Sequence, residues 1–206
     1  MGKSFYNRIY SVREAYRILY QGLRTLPSLF RAKRNGELSG ESAERIMLAV
    51  TEVNGCEVCS YAHAKMALEK GLGAEEIRMM LAGDTAAIPA DEAIAIAFAQ
   101  HYAESRGNPT REAWQRLVES YGTTKALGIL GAAREMMIGN AYGIALSAFI
   151  SRVKGRPIAR SSLPYEVAVL SAVIPHLLFA PFHAAVTALC RRPIISWSSS
   201  PEDAGR

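Results

Sequence analysis

The sequence predicts an all-α fold: a compact helical domain over residues 1–155, with an apolar helical extension over residues 156–206. Apolar side chains recur at spacings of three and four along most of the chain, and no segment alternates apolar and polar residues over a useful strand length. The longest apolar run, Leu163 to Leu189, has the composition of a helix that meets something other than water on most of its surface. There is no fixed-period repeat. A chain of 206 residues can bury one sizeable core, and 50% apolar residues with 21% charged excludes a disordered chain.

The first helix is expected from about Phe5 to Gly22, where Tyr6, Ile9, Tyr10, Arg13, Tyr16, Arg17 and Tyr20 follow helical spacing and the tyrosines read as packing. Thr25 to Leu29 carries Pro27, and the Asn35-Gly36 turn separates this helix from a second one, capped by Ser39 or Ser42 and running to about Val53, with Ile46, Met47, Val50 and Val53 on its buried side. Asn54-Gly55 interrupts the pattern. A third helix then covers Cys56 to Lys70 before Gly71 and Gly73. Ala74–Leu81 reads as a short helix, and Ala90 to Glu104 as another whose Asp91 and Glu92 suit the positive end of the helix dipole. Thr110 caps Arg111 to Ser120, and Gly122 divides that helix from a longer one, Thr123 to about Phe149, whose small residues allow close approach of a neighbour.

Charge narrows the partners only a little. The net charge is +5, but the basic residues are dispersed in short clusters (Arg31, Lys33, Arg34; Arg152 to Arg160; Arg191, Arg192), and no zinc-finger or aromatic RNA-binding signature accompanies them. Nucleic acid is not an expected partner. Met1 to Leu23 is interrupted by Lys3, Arg8, Arg13, Glu14 and Arg17, unlike a secretory leader, and Tyr6 stands where a myristoylation pattern needs Ser or Thr. Within the apolar run, Glu166, His176, His183 and internal prolines favour a helix buried in a subunit interface over a membrane span. A homo-oligomer without membrane contact is the expectation.

Three cysteines, two of them in a C-x-x-C, read as redox or metal chemistry in a reducing cytoplasm rather than as a disulfide scaffold. Glu44 precedes Cys56 by eleven intervening residues, and the motif continues as Cys56-x-x-Cys59-x-x-x-His63. If a helix starts just after Gly55, Cys56, Cys59 and His63 share one face, with His63 one turn beyond Cys59. Free backbone N–H groups at a helix start and an imidazole one turn away both favour the nucleophilic thiolate. Cys59 ranks modestly above Cys56 as the attacking thiol, because His63 can take its proton. The second thiol would close a disulfide on the resulting sulfenic acid before irreversible oxidation. Glu44, Glu52 and Glu57 compete to orient His63.

The pattern E-x11-C-x-x-C-x-x-x-H, set in NGCEVCSYAH and followed by AKMALEKGLGAEEI, resembles the signature of the alkylhydroperoxidase D and carboxymuconolactone decarboxylase superfamily. The resemblance extends more loosely to about residue 150. It implies an all-α, homo-oligomeric, thiol-dependent peroxidase that reduces organic hydroperoxides and is recycled by a lipoyl or thioredoxin-like dithiol protein. It implies Cys59 as the peroxide-attacking thiol, Cys56 as its resolving partner, His63 as base and Glu44 as relay acid; no cofactor or metal is expected, since a closed zinc site wants four ligands and Cys190 is far off in another segment. One position departs: Val58 stands where the alkylhydroperoxidase D pattern has a histidine. The alternatives are a non-catalytic helical oligomer acting as redox or metal sensor, and a carboxymuconolactone decarboxylase-like enzyme. A cysteine pair is not a hallmark of the decarboxylase branch. Cys190, His101, His176 and His183 read as packing residues; the resemblance also implies that the segment carrying His101 packs near the motif.

Overall fold

The computed structural model describes residues 8–84 and 86–197, and among these it has eight α-helices and no strand. In chain order they are α1 (Val12–Arg34), α2 (Gly40–Asn54), α3 (Glu57–Glu69), α4 (Ala74–Leu81), α5 (Ala93–Glu104), α6 (Arg111–Val153), α7 (Leu163–Ser171) and α8 (Val173–Leu189). The helical extension is thus present as α7 and α8. Phe5, Tyr6 and Asn7 of the expected first helix lie outside the described residues.

α1 starts later and ends later than the sequence predicts. Ser11 and Glu14 form a reciprocal capping box that fixes the start at Val12, leaving residues 8–11 non-helical. The helix then runs past its expected end at Gly22 and through Pro27 as far as Arg34. Pro27 lies on the exposed side, while Thr25, Leu29 and Ala32 around it are buried against α6, and that packing holds the helix together across the missing N–H.

α6 is the central element, with α1, α2, α3, α5 and α7 packed on it. Two helices were expected on either side of Gly122. The structure bears this out: Gly122 takes a non-helical φ of 73° and ψ of 163°, and the kink there divides the stretch labelled α6 into two helical segments. Length and composition alone would let α6 cross a bilayer, but here it is the helix around which the core forms. α1 runs antiparallel to it in very close contact. A Cβ on Gly128 would lie 2.5 Å from the Ala32 Cβ, and one on Gly131 would lie 2.8 Å from the Leu29 Cβ.

Buried Arg134 of α6 ties four segments together: Nε donates to the Tyr102 hydroxyl (2.7 Å) on α5, and the other nitrogens donate to the carbonyls of Gln21 (3.2 Å) and Ile194 (2.9 Å). α8 lies alongside α1 in the same direction, with the His183 ring stacked on Tyr20 and Arg24 donating to the Arg192 carbonyl. The tyrosine stripe of α1 is therefore packing, as its spacing implies.

Because the α1–α6 contact leaves no room for a side chain at Gly128, Gly128→Val should cost about 1–3 kcal/mol of stability by overpacking, read as a lower urea midpoint. An unchanged midpoint would show that this contact does not limit the fold.

Candidate redox site

The site begins where α2 stops. Gly55 takes a left-handed φ of 72° and donates its N–H to the Thr51 carbonyl, a helix end that a residue with a Cβ adopts only with strain. The chain turns there, and α3 packs back against α2 and α6. Cys56 caps α3: its Sγ accepts the Cys59 backbone N–H at 3.3 Å. Cys56 and Cys59 are joined as a disulfide, with Cα atoms 5.3 Å apart.

α6 closes the other side. The Cys59 Sγ lies 3.5 Å from the Gly139 carbonyl oxygen, and one turn on, a Cβ at Gly143 would sit 2.7 Å from the Cys59 sulfur and 3.0 Å from that of Cys56. The sulfurs therefore rest on bare helix backbone. As residues, Cys56 is fully buried and Cys59 is 6% exposed.

A buried polar chain holds this arrangement from beneath. The Tyr10 hydroxyl donates to the Asn54 Oδ1 (2.7 Å), the Asn54 amide donates to the Asn140 Oδ1 (2.8 Å), and the Asn140 amide donates to the Thr51 hydroxyl (3.3 Å). All four residues are fully buried, so each bond replaces one that water would otherwise supply. Burial pushes the Tyr10 hydroxyl pKa up to about 12, and it remains a neutral donor.

Glu44 enters from α2 with only 1% of its side chain exposed. Its Oε2 is 2.8 Å from the His63 Nδ1, and its Oε1 is ion-paired with the Lys70 ammonium at the end of α3. Burial raises its carboxyl pKa, but the hydrogen bonds from His63 and Lys70 outweigh that and leave it below the usual glutamate value. With Nδ1 engaged by Glu44, Nε2 is the imidazole nitrogen left for other chemistry, and Cys59 lies one turn back along α3.

The structure thus brings Glu44, Cys56, Cys59 and His63 into one site, and Glu44 is the carboxylate on His63. Val58, half-exposed, packs where a Gly143 side chain would go. Lys70 was not foreseen, although it lies two turns beyond His63 on the same helix face. Gly139, Gly143 and the Asn54–Asn140 pair were also missed; the small-residue content of α6 was their one visible signal.

The other singled-out residues fall elsewhere. His101 accepts the Thr110 backbone N–H at the start of α6, a structural hydrogen bond. His176 is hydrogen-bonded to the Tyr142 hydroxyl at 2.8 Å, and burial lowers its pKa. Cys190, expected to be buried packing, is free and exposed, because it caps α8 beyond the buried seam of His176, Ala180 and Ala184. Among the described residues, no three His, Cys, Asp or Glu side chains converge as a metal site requires.

Residues 24–100 match the family described as the carboxymuconolactone decarboxylase family. The matched stretch contains Glu44, Cys56, Cys59, His63 and Lys70, and ends before the Gly139 and Gly143 that support the sulfurs. No curated protein and no solved structure matches the chain.

A depressed folded-state carboxyl contributes stability above its unfolded pKa, and that contribution is lost as pH falls through the folded value. Wild type should therefore lose stability as pH drops below the ordinary glutamate range, and Glu44→Gln should flatten that part of the profile while costing about 1–3 kcal/mol at neutral pH. Urea unfolding across the acid range would reveal it; parallel profiles for the two proteins would show that Glu44 carries no such linkage.

Proposed function

From the match of residues 24–100 to the carboxymuconolactone decarboxylase family, we propose that the chain is a thiol-dependent peroxidase acting on organic hydroperoxides. The observation that carries this reading is the Cys56–Cys59 disulfide set against the His63–Glu44 pair: a cysteine couple that can cycle, beside a base with a fixed orientation.

In the reduced protein, His63 Nε2 accepts the Cys59 proton, and Glu44 stabilises the imidazolium through Nδ1. The Cys59 thiolate attacks the outer peroxide oxygen. An S–O bond forms as the O–O bond breaks, and the departing alkoxide takes the proton from His63 and leaves as an alcohol. Cys56 then attacks the sulfenic sulfur and expels the hydroxyl, which leaves as water with the Cys56 proton; two electrons have passed from the thiols to the peroxide. A lipoyl or thioredoxin-like dithiol returns them by thiol–disulfide exchange. The order of attack is supported by exposure, since Cys59 is the less buried of the two residues.

Val58 leaves His63 as the single imidazole in the motif, so proton delivery rests on one histidine. Turnover needs a setting that keeps the pair reduced between cycles, which supports a cytoplasmic home. We further propose a homo-oligomer: Tyr61, Met66 and Leu68 on α3 and Leu146 on α6 are exposed apolar side chains near the motif, a surface that a second copy would cover.

Thiol counting after addition of a peroxide panel tests the reading. The reduced wild type should lose two thiols with at least one organic hydroperoxide and turn over with a dithiol reductant. Cys59→Ser should lose turnover, and Cys56→Ser should accumulate overoxidised Cys59. A wild type whose dithiol stays reduced under every peroxide would end the proposal.

A further inference from the structure

The α7–α8 pair carries an apolar surface for which the peroxidase reading has no use. α8 is buried along a single narrow seam, His176, Ala180 and Ala184. On its remaining surface Ile174 (71%), Leu178 (69%), Phe179 (64%), Phe182 (72%) and Leu189 (83%) stand exposed, and Val167 of α7 continues the patch. Scattered exposed leucines are ordinary, but aromatic and aliphatic side chains contiguous over one helix mark an interaction site.

Charge identifies the occupant. From Val153 to Trp197 the one acidic residue is Glu166, which is buried and held by Arg152. The basic residues in that stretch are Lys154, Arg156 and Arg160 before α7, and Arg191 and Arg192 after α8, all exposed. The bent rod of α7 and α8, roughly 39 Å long at 1.5 Å per residue, is therefore apolar along its outer side and positive at both ends. Symmetric pairing with a second copy would set basic end against basic end in either direction. An anionic bilayer matches both features, with acyl chains for the apolar side and headgroups for the arginines and lysines.

Depth follows from the seam. α8 alone is about 25 Å long, short of the ~30 Å hydrocarbon core. The two helices together have the length and apolarity of a span bent by 44°. Yet His183 contacts the hydroxyl of Tyr16 (3.1 Å) and stacks on Tyr20, and Thr187 accepts from the Tyr20 hydroxyl (3.0 Å), so α8 is fastened to α1. α1 carries Arg13, Arg17, Arg24 and Arg31 and cannot follow it into hydrocarbon.

We propose that the exposed side of α7–α8 is a peripheral docking surface for anionic phospholipid bilayers, lying in the plane of the membrane with Phe179 and Phe182 inserted and Arg191, Arg192 and Lys154 at headgroup level. Neither the helix pair nor this charge pattern depends on the chemistry at Cys59, so the proposal holds whether or not the chain turns over peroxide.

Co-sedimentation of the full chain with vesicles tests it. The protein should pellet with phosphatidylcholine vesicles containing phosphatidylglycerol, bind pure phosphatidylcholine far less, and release as salt is raised. Phe182→Glu should weaken partitioning about tenfold or more, and Arg191→Ala about fivefold. Circular dichroism checks that each variant folds, and Leu178→Ser serves if Phe182→Glu does not. Absence of binding to anionic vesicles, or binding that ignores a folded apolar-face variant, overturns the proposal. If Phe182→Glu instead splits an oligomer while vesicles never bind, a second copy is the occupant.

Discussion

A carboxylate with 1% of its side chain exposed has to be matched by positive partners, and in this protein Glu44 finds them at two points along one helix. His63 lies in the middle of α3 and Lys70 at its end, so satisfying a single buried charge fixes both the position and the rotation of α3 against α2. That rotation decides which way Cys56 and Cys59 face. The same bond that stabilises the fold sets the tautomer of His63. Glu44 is in this sense a structural residue before it is a chemical one.

The second constraint is the near absence of side chains on one face of α6. At Gly143 the helix backbone stands where a side chain would collide with both sulfurs, and the Asn54–Asn140 hydrogen bond nearby sets the spacing between α2 and α6. Hydrophobic packing alone would tolerate small sliding of one helix along another; a chain of buried hydrogen bonds from Tyr10 to Thr51 does not, because a displaced donor would be left without water or partner. The disulfide region is thus held from α3, from α2 and from α6, while Cys59 keeps a narrow opening to solvent.

Much of this was legible in the sequence, for identifiable reasons. The Cys56, Cys59 and His63 relation is local, so helical spacing alone placed the three on one face; Ser39, Thr110 and the Gly55 break marked element ends through short-range hydrogen bonding and backbone sterics. What local pattern could not give is tertiary. Glu44 was tied with Glu52 and Glu57 until resemblance separated them, and Lys70 and Asn140 acquire their partners only when α2, α3 and α6 meet. The end of α1 was placed too early, at Gly22, for the same reason: the packing of Thr25, Leu29 and Ala32 on α6 carries the helix on, through Pro27, to Arg34. The apolar run after residue 163 was correctly read as helical, but that α8 buries only a single seam depends on where it docks.

The central claim is that the His63–Glu44 pair makes Cys59 a reactive thiol. Ultraviolet thiolate absorbance of the fully reduced protein, followed from acid to alkaline pH, tests this most directly. A thiolate should already be present at neutral pH, below the range of about 8.5 for an ordinary cysteine, and should fall sharply in His63→Ala. Reduced wild type that ionises like an ordinary thiol, with a curve that His63→Ala leaves in place, would contradict the account.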